Sequence, residues 1–140
     1  MIKEIRAYIK QKIAEVDSSY TQIDDPIGDD DISKVNPECK YKIIFSTNSP
    51  SYTGNSYVET IDASVQLFNR ASICAVDIYD GLYDKAILVK NCIISPTQVK
   101  NQLPFTDILV TRMDIEALNT NDKTFRCTIN FTIRIDFTFN

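Results

Sequence analysis

Residues 124–139, TFRCTINFTIRIDFTF, alternate between apolar and polar side chains without a break. A period of two is typical of a β-strand with one buried face. At about 3.3 Å per residue this strand would be about 50 Å long, whereas strands in globular proteins usually contain about five or six residues. Two explanations stay open. Either part of the strand packs under helices while the rest extends onto a neighbouring subunit or around a barrel-like sheet, or a bulge bends the strand inside its own domain. The predicted inward residues are Phe125, Cys127, Ile129, Phe131, Ile133, Ile135, Phe137 and Phe139.

Two other segments repeat their apolar residues with the period of an α-helix. The first is 2–16, and the second is 72–93, which begins at a candidate N-cap, Ser72, and ends before a Ser-Pro pair. Gly81 costs about 1 kcal/mol relative to alanine inside the second helix, and it marks either a close approach to the sheet or a tolerated position. The inward residues are Ile2, Ile5, Ile9, Ile13 and Val16 in the first helix and Ala75, Tyr79, Leu82, Ala86, Val89 and Ile93 in the second. The outward charges are Lys3, Arg6, Lys10 and Lys12 in the first helix and Asp77, Asp80 and Asp84 in the second.

Three further strands are predicted from alternation and from the turn-forming residues between them. They are 39–45 and 57–68, joined across a polar loop at 46–56, and 104–117, joined to 124–139 across a turn at 118–123. The residues expected to face the core are Ile61, Ala63, Val65 and Leu67 in one strand and Leu109, Met113, Ile115 and Ala117 in another. The element order α-β-β-α-β-β predicts an α+β fold, with a mostly antiparallel sheet, two helices packed on it and a long C-terminal β-hairpin.

Length and charge limit the classes of function. With 140 residues, the chain is expected to form a single domain, 1–140, with a long acidic loop at 17–38. Its net charge of −4 disfavours sequence-independent binding to free nucleic acid. No apolar run approaches the roughly 20 residues of a membrane span, and the charged start MIKEIRAYIK lacks the apolar core of a signal peptide. We therefore expect neither membrane association nor secretion.

The residue types needed for catalysis and metal binding are scarce. The chain has no histidine, three glycines and four cysteines, none of them in a CxxC pair. A zinc site, a Cys–His nucleophile and a Gly-rich phosphate loop therefore lack their usual residues. The aspartates of the acidic loop fail the EF-hand spacing for calcium, because Gly28 comes too early and no glutamate closes the loop. We expect no enzymatic activity, no catalytic residue, no cofactor and no metal, and we expect the cysteines to be small core residues.

Several segments together resemble the tail terminator (tail completion or neck) proteins of long-tailed bacteriophages. They are the basic opening helix with its acidic loop, a strand ending VQLFNR, the helix VDIYDGLYDKAI and the closing hairpin EALNTNDKTFRCTINFTIRIDF. The most specific part is the turn Asn119-Thr120-Asn121-Asp122 before the long alternating strand. The resemblance covers most of the chain and is weakest over 17–57. The segment DDPIGDDD, 24–31, is longer and more charged than the family pattern.

The resemblance implies a structural virion protein. Members of this family form a sixfold ring on the head-proximal end of a finished tail tube, where they end tube polymerisation and join the tail to the head. The implied partners are other copies of the chain, the tail tube protein, the head-completion or connector protein and, as a further candidate, the tail sheath, with DNA only passing through the lumen. The implied location is the virion neck, after assembly in the host cytoplasm. The alternative is a small adaptor or assembly-chaperone domain that binds a partner protein by strand addition.

Candidate interface residues fall into three groups: the acidic loop, the basic face of the first helix and the end of the last strand. They are Asp24, Asp25, Asp29, Asp30 and Asp31; Lys3, Arg6 and Lys10; and Phe137 and Phe139. Charged helix faces are most often simply solvated, so the basic face has that second interpretation. Tyrosine is enriched in protein interfaces, so five tyrosines are further candidates: Tyr41, Tyr52, Tyr57, Tyr79 and Tyr83.

Overall fold

A computed structural model of the chain describes residues 2–23, 39–54, 56–70, 75–94, 103–119 and 124–138. The elements in chain order are α1 (Ile2–Val16), β1 (Thr21–Gln22), β2 (Lys40–Thr53), β3 (Ser56–Arg70), α2 (Ala75–Ile94), β4 (Asp107–Asn119) and β5 (Thr124–Thr138). The α+β fold class is confirmed, and the element order matches the prediction apart from the short strand β1.

The five described strands form one sheet in the order β1-β2-β3-β5-β4. All neighbours are antiparallel except β1, which runs parallel to β2. β3 and β5 stay in register over their whole length, from Ser56 opposite Thr138 to Arg70 opposite Thr124. A bulge in β5 therefore does not account for its length, because β3 is equally long and pairs with all of it.

Both helices contribute to a core on one face of the sheet. The inward faces predicted for α1, β3 and β5 are confirmed. The buried residues include Ile5, Ile9 and Ile13 of α1; Leu82, Ala86, Val89 and Ile93 of α2; Ile61, Ala63, Val65 and Leu67 of β3; and Phe125, Cys127, Ile129, Phe131, Ile133 and Ile135 of β5. A slip of one residue would move a whole strand's apolar set to the other face, so this burial fixes the register. The hydroxyl of Tyr8 donates to the carbonyl oxygen of Ile93 at 2.7 Å and joins α1 to the end of α2.

β2 is much longer than the sequence analysis predicted. Residues 46–53, predicted as a polar loop, continue the strand and pair with β3 as far as Thr53 opposite Ser56. The prediction was wrong because these residues are polar on both faces, and alternation identifies only strands with one covered face. Gly54 adopts a φ of +58°, which a residue without Cβ does at no steric cost. Pro50 lacks an N–H but lies where β2 is an edge of the sheet of described strands, a position that tolerates proline.

The inward face predicted for β4 is only partly correct. Leu109 is 62% exposed on the opposite face, while Ala117 lies opposite the core residue Phe125, on the predicted face, but is exposed near the end of the strand. An extra residue, Thr111, shifts the pairing of β4 with β5, so the alternation changes face at that point. The residues packed against the core are Ile108 and Val110 before the bulge and Met113 and Ile115 after it.

Two predictions for the N-terminal part also require correction. Lys12, predicted on the outward face of α1, is 2% exposed. Its ammonium lies 3.4 Å from the Glu15 carboxylate and 5.5 Å from the ring centre of Tyr8, and these contacts offset part of the cost of burying a charge. The predicted loop from 17 onward begins with packed structure, because Tyr20 is buried and the two residues of β1 pair with β2.

α2 agrees with the prediction where its residues are described. Asp80 and Asp84 are exposed on its outer side. A Cβ added at Gly81 would meet no atom within 4 Å, so this glycine is a tolerated exposed position and not a close approach to the sheet. Ser72, the predicted N-cap, and Cys74 lie outside the described residues.

Candidate assembly surface

The β2–β3 hairpin and the end of β5 continue past Ile61 and Ile135, the last buried positions of the core face. Three aromatic rings form a row across this extension: Tyr52 of β2, Tyr57 of β3 and Phe137 of β5. The ring centres of Tyr52 and Tyr57 are 5.3 Å apart with planes at 27°, and those of Tyr57 and Phe137 are 4.6 Å apart with planes at 9°. Tyr52 is 70% exposed, so the row presents an aromatic surface to the outside.

Glu59 lies on the same face, between the aromatic row and the core. It is opposite Pro50 on β2 and Ile135 on β5. Its carboxylate oxygen Oε2 is shielded from solvent and has no hydrogen-bond partner among the described residues. A buried acceptor without a donor costs about 1–3 kcal/mol, and more when it is charged, so a cation brought next to this oxygen would stabilise the position. We call Tyr52, Tyr57, Glu59 and Phe137 the tip patch.

A groove of about 360 Å³ lies at the base of the tip patch. Its lining includes Glu4 of α1, Leu103, Phe105, Ile135 and Phe137. Glu4 is in the first turn of α1, so that helix begins beside the point where the extension leaves the core. The groove is therefore continuous with both the tip patch and the N-terminal end of α1.

The basic face predicted for α1 is present. Lys3, Arg6 and Lys10 are all exposed, and their spacing of three and four residues places them on one side of the helix. The guanidinium carbon of Arg6 lies 5.2 Å from the ring centre of Phe45 in the same chain. Within the described residues, neither Lys3 nor Lys10 forms an ion pair. We call Lys3, Arg6 and Lys10 the basic stripe.

The face of the sheet opposite the core is polar and largely neutralised within itself. Its ion pairs are Arg112–Asp114 at 2.6 Å, Arg134–Asp136 at 2.8 Å, and Arg126–Glu116. A shallow trough of about 490 Å³ crosses this face, lined mainly by hydroxyl and amide side chains with one carboxylate and one guanidinium. Because opposite charges alternate, this face lacks the single-sign field that attracts a polyanion.

Ionisable groups also join the C-terminal end of α1 to α2. The Asp17 carboxylate accepts a hydrogen bond from the Ser19 hydroxyl at 2.6 Å and lies 3.0 Å from the Lys85 ammonium. The bonds from Ser19 and then from Lys85 lower the pKa of Asp17 to about 2. The thiol of Cys92 donates to Glu15 at 3.3 Å, which is the main cause of the lowered pKa of Glu15, while burial raises the pKa of Cys92. A thiol held protonated in this way is a poor nucleophile, which argues against a reactive role for Cys92. The contacts of this cluster instead connect α1 to α2.

Only part of the predicted interface set can be located. Phe137 belongs to the tip patch, and the three cations form the basic stripe. Phe139 and the acidic residues Asp24, Asp25, Asp29, Asp30 and Asp31 lie outside the described residues, so their role stays a prediction. Glu59 was not among the predicted interface residues. Its alternation with Ile61 places a charge on an inward face, and this departure from the pattern is visible in the sequence.

The described residues contain no arrangement typical of a metal or redox site. Among them, no group of three or more histidine, cysteine, aspartate or glutamate side chains is placed to hold a metal ion. Burial raises the pKa of the Cys127 thiol to about 12, as expected for an inert core cysteine. In the same part of the chain, every helix is too short or too polar to cross a bilayer.

Comparisons with known proteins give a fold and no family. No family model and no curated protein matches the chain. Among solved structures, a chain from the virion of a native gene transfer agent particle matches with a TM-score of 0.64 and 11% sequence identity. The match covers 97% of this chain and 97% of that chain. Over nearly its whole length, this protein therefore has the fold of a chain found in a gene transfer agent virion.

Proposed function

We propose that this protein is a structural component of a phage-like virion. The observation that carries the proposal is the match to a chain of a gene transfer agent virion, which covers 97% of this chain and 97% of that chain. The sequence resemblance to tail terminators is a further reason for the same class, since it includes the Asn119–Asp122 turn before the long alternating strand as well as the order of elements. The chemistry of the described residues is compatible with a role without catalysis.

Within that class, we propose a ring of identical subunits, six by the family resemblance, on the head-proximal end of the tail tube. The ring ends tube growth, and its other side meets the head-completion or connector protein while DNA passes through the centre. A closed ring needs two different surfaces on each subunit that fit each other by rotation. The tip patch and the basic stripe are two such surfaces with opposite chemistry. The neutralised outer face of the sheet would not retain passing DNA.

The proposal is tested by the oligomeric state of the purified protein. Negative-stain electron microscopy and native mass spectrometry over a wide concentration range should show rings of six subunits with an open centre. Rings with a different number of subunits would support the structural role and correct only the proposed number of six. A strict monomer that also fails to bind preformed tail tubes would overturn the proposal.

The second candidate is an adaptor or assembly-chaperone domain. It is favoured by β4, an edge strand of the described sheet, which can accept a strand from a partner. Against it, β4 carries two register shifts and a row of charges, features that impede strand addition at an edge. An adaptor would bind a soluble partner at a simple stoichiometry, so the same mass spectrometry experiment discriminates between the two candidates.

A further inference from the structure

We infer that the tip patch of one copy binds the basic stripe of α1 on the next copy. The inference rests on the proposed ring and specifies which surfaces of the subunit form its contacts. The occupant of the tip patch is thus a second copy of this chain, and the contact is heterologous because the two surfaces differ.

The two surfaces have complementary chemistry. The tip patch combines a shielded carboxylate oxygen of Glu59 with stacked aromatic faces, and the basic stripe supplies cations on flexible stems. A lysine ammonium can pair with the carboxylate, and cations also bind over aromatic rings. The chain already contains one contact of that kind, between Arg6 and the ring of Phe45.

The two surfaces also agree in size. The aromatic row crosses three adjacent strands, which are about 4.8 Å apart, so it is about 10 Å wide. Lys3 and Lys10 are seven residues apart on a helix that rises about 1.5 Å per residue, so the stripe is about 10 Å long. A helix laid across the strands therefore matches the aromatic row in length.

Each surface contains a charged group without a polar partner in the described part of the chain. The Oε2 atom of Glu59 has no hydrogen-bond partner among the described residues, and Lys3 and Lys10 form no ion pair with any of them. Arg6 is engaged by its own subunit, which leaves the two lysines as the cations available to a neighbour. A contact between copies would satisfy the carboxylate and cover the exposed ring of Tyr52 in one step.

The test uses two charge-reversed full-length chains, Glu59→Lys and the double variant Lys3→Glu/Lys10→Glu. In the first variant both surfaces are positive, and in the second both are negative, so each should associate with itself at least tenfold more weakly than the natural chain. A mixture of the two variants should associate within about threefold of the strength of the natural chain, because each contact between unlike variants again joins opposite charges. Association is measured by sedimentation and native mass spectrometry and, for copies that assemble only on tubes, by occupancy of tube ends. Mixed assemblies should contain the two variants in equal numbers.

Two further variants keep the result interpretable. Asp84→Lys makes the same change of charge on the exposed side of α2 and should leave association unchanged. Tyr52→Ala removes a mostly exposed ring, so it should leave folding intact while weakening association several-fold. Far-ultraviolet circular dichroism of every variant reports whether it folds, and if Glu59→Lys does not fold, Glu59→Gln and Tyr52→Ala decide the question.

The outcomes separate this inference from the proposed function. Rings that form equally well with every variant would overturn the inference and leave the ring itself intact. The inference would also be overturned if the charge-reversed variants did not associate with themselves and did not associate with each other in a mixture. A mixture that recovers only dimers would support the pairing of the two surfaces and contradict the ring. Failure of the natural chain to self-associate, both in solution and on tube ends, would overturn both.

Discussion

The strongest test of the described core is the truncation of Phe131 to alanine. Phe131 lies in the middle of β5, opposite Ala63 on β3 and Val110 on β4, and is 1% exposed. Because Ala63 is too small to fill the space left by the ring, the substitution leaves a cavity as well as losing the transfer free energy of the ring. Such substitutions cost about 3–5 kcal/mol, which is a large part of the roughly 5–15 kcal/mol that stabilises a domain.

The matched control is Phe137→Ala, six residues further along the same face. Phe137 is only half-buried, so this change loses the stacking on Tyr57 and part of the burial, in total less than about 2 kcal/mol. Urea unfolding followed by tyrosine fluorescence and circular dichroism measures both variants, since the chain has no tryptophan. For a chain of this length, the larger loss corresponds to a Tm lowered by roughly 10–17 °C. A loss below about 1 kcal/mol for Phe131→Ala, or equal losses for both variants, would refute the placement of the core boundary between these residues.

Three other predictions follow from individual contacts. Tyr8→Phe removes the hydroxyl that donates to the carbonyl oxygen of Ile93 and should lower the free energy of unfolding in urea by about 0.5–1.5 kcal/mol, because a buried hydrogen bond is lost; an unchanged midpoint would contradict the bond. The folded pKa of Asp17 is about 2, below its ordinary 3.8, so its contribution to stability is complete above the ordinary value and is lost as pH falls through about 2. Acid titrations monitored by circular dichroism should therefore show a smaller loss of stability below pH 4 in Asp17→Asn than in the natural chain. Cys127, fully buried and with its pKa raised to about 12, should react with a thiol reagent only after unfolding, and modification of Cys127 in the native protein, located by mass spectrometry, would contradict its position.

The sequence was sufficient for the parts of the fold in which one side of an element is apolar. The buried faces of α1, β3 and β5 follow directly from their periods because burial of those faces is what forms the elements. The alternation failed at residues 46–53, where β2 is polar on both sides and is held by backbone pairing with β3. It also failed at Leu109, because the bulge at Thr111 changes the face of the strand, so the alternation of Met113 and Ile115 does not continue back to Leu109.

The candidate surface was predictable in composition but not in arrangement. The cations of the basic stripe could be located from helical spacing alone. The tip patch could not, because Tyr52 and Tyr57 come together only if β2 continues through the segment that was predicted as a loop. Glu59 belongs to the same surface and is a charge on an inward face, which departs from the pattern of apolar inward residues. The proposed contact between copies would explain why a charge is found there.

The measurement that most directly tests the central proposal is the growth of tail tubes in the presence of this protein. Tube protein from the parent particle is allowed to polymerise, the purified chain is added, and tube length and end structure are followed by electron microscopy. We expect one end of each tube to acquire a ring and stop elongating, while added Glu59→Lys chain leaves that end open. Tubes that keep growing with both ends bare, at concentrations of the natural chain well above that of tube ends, would contradict it.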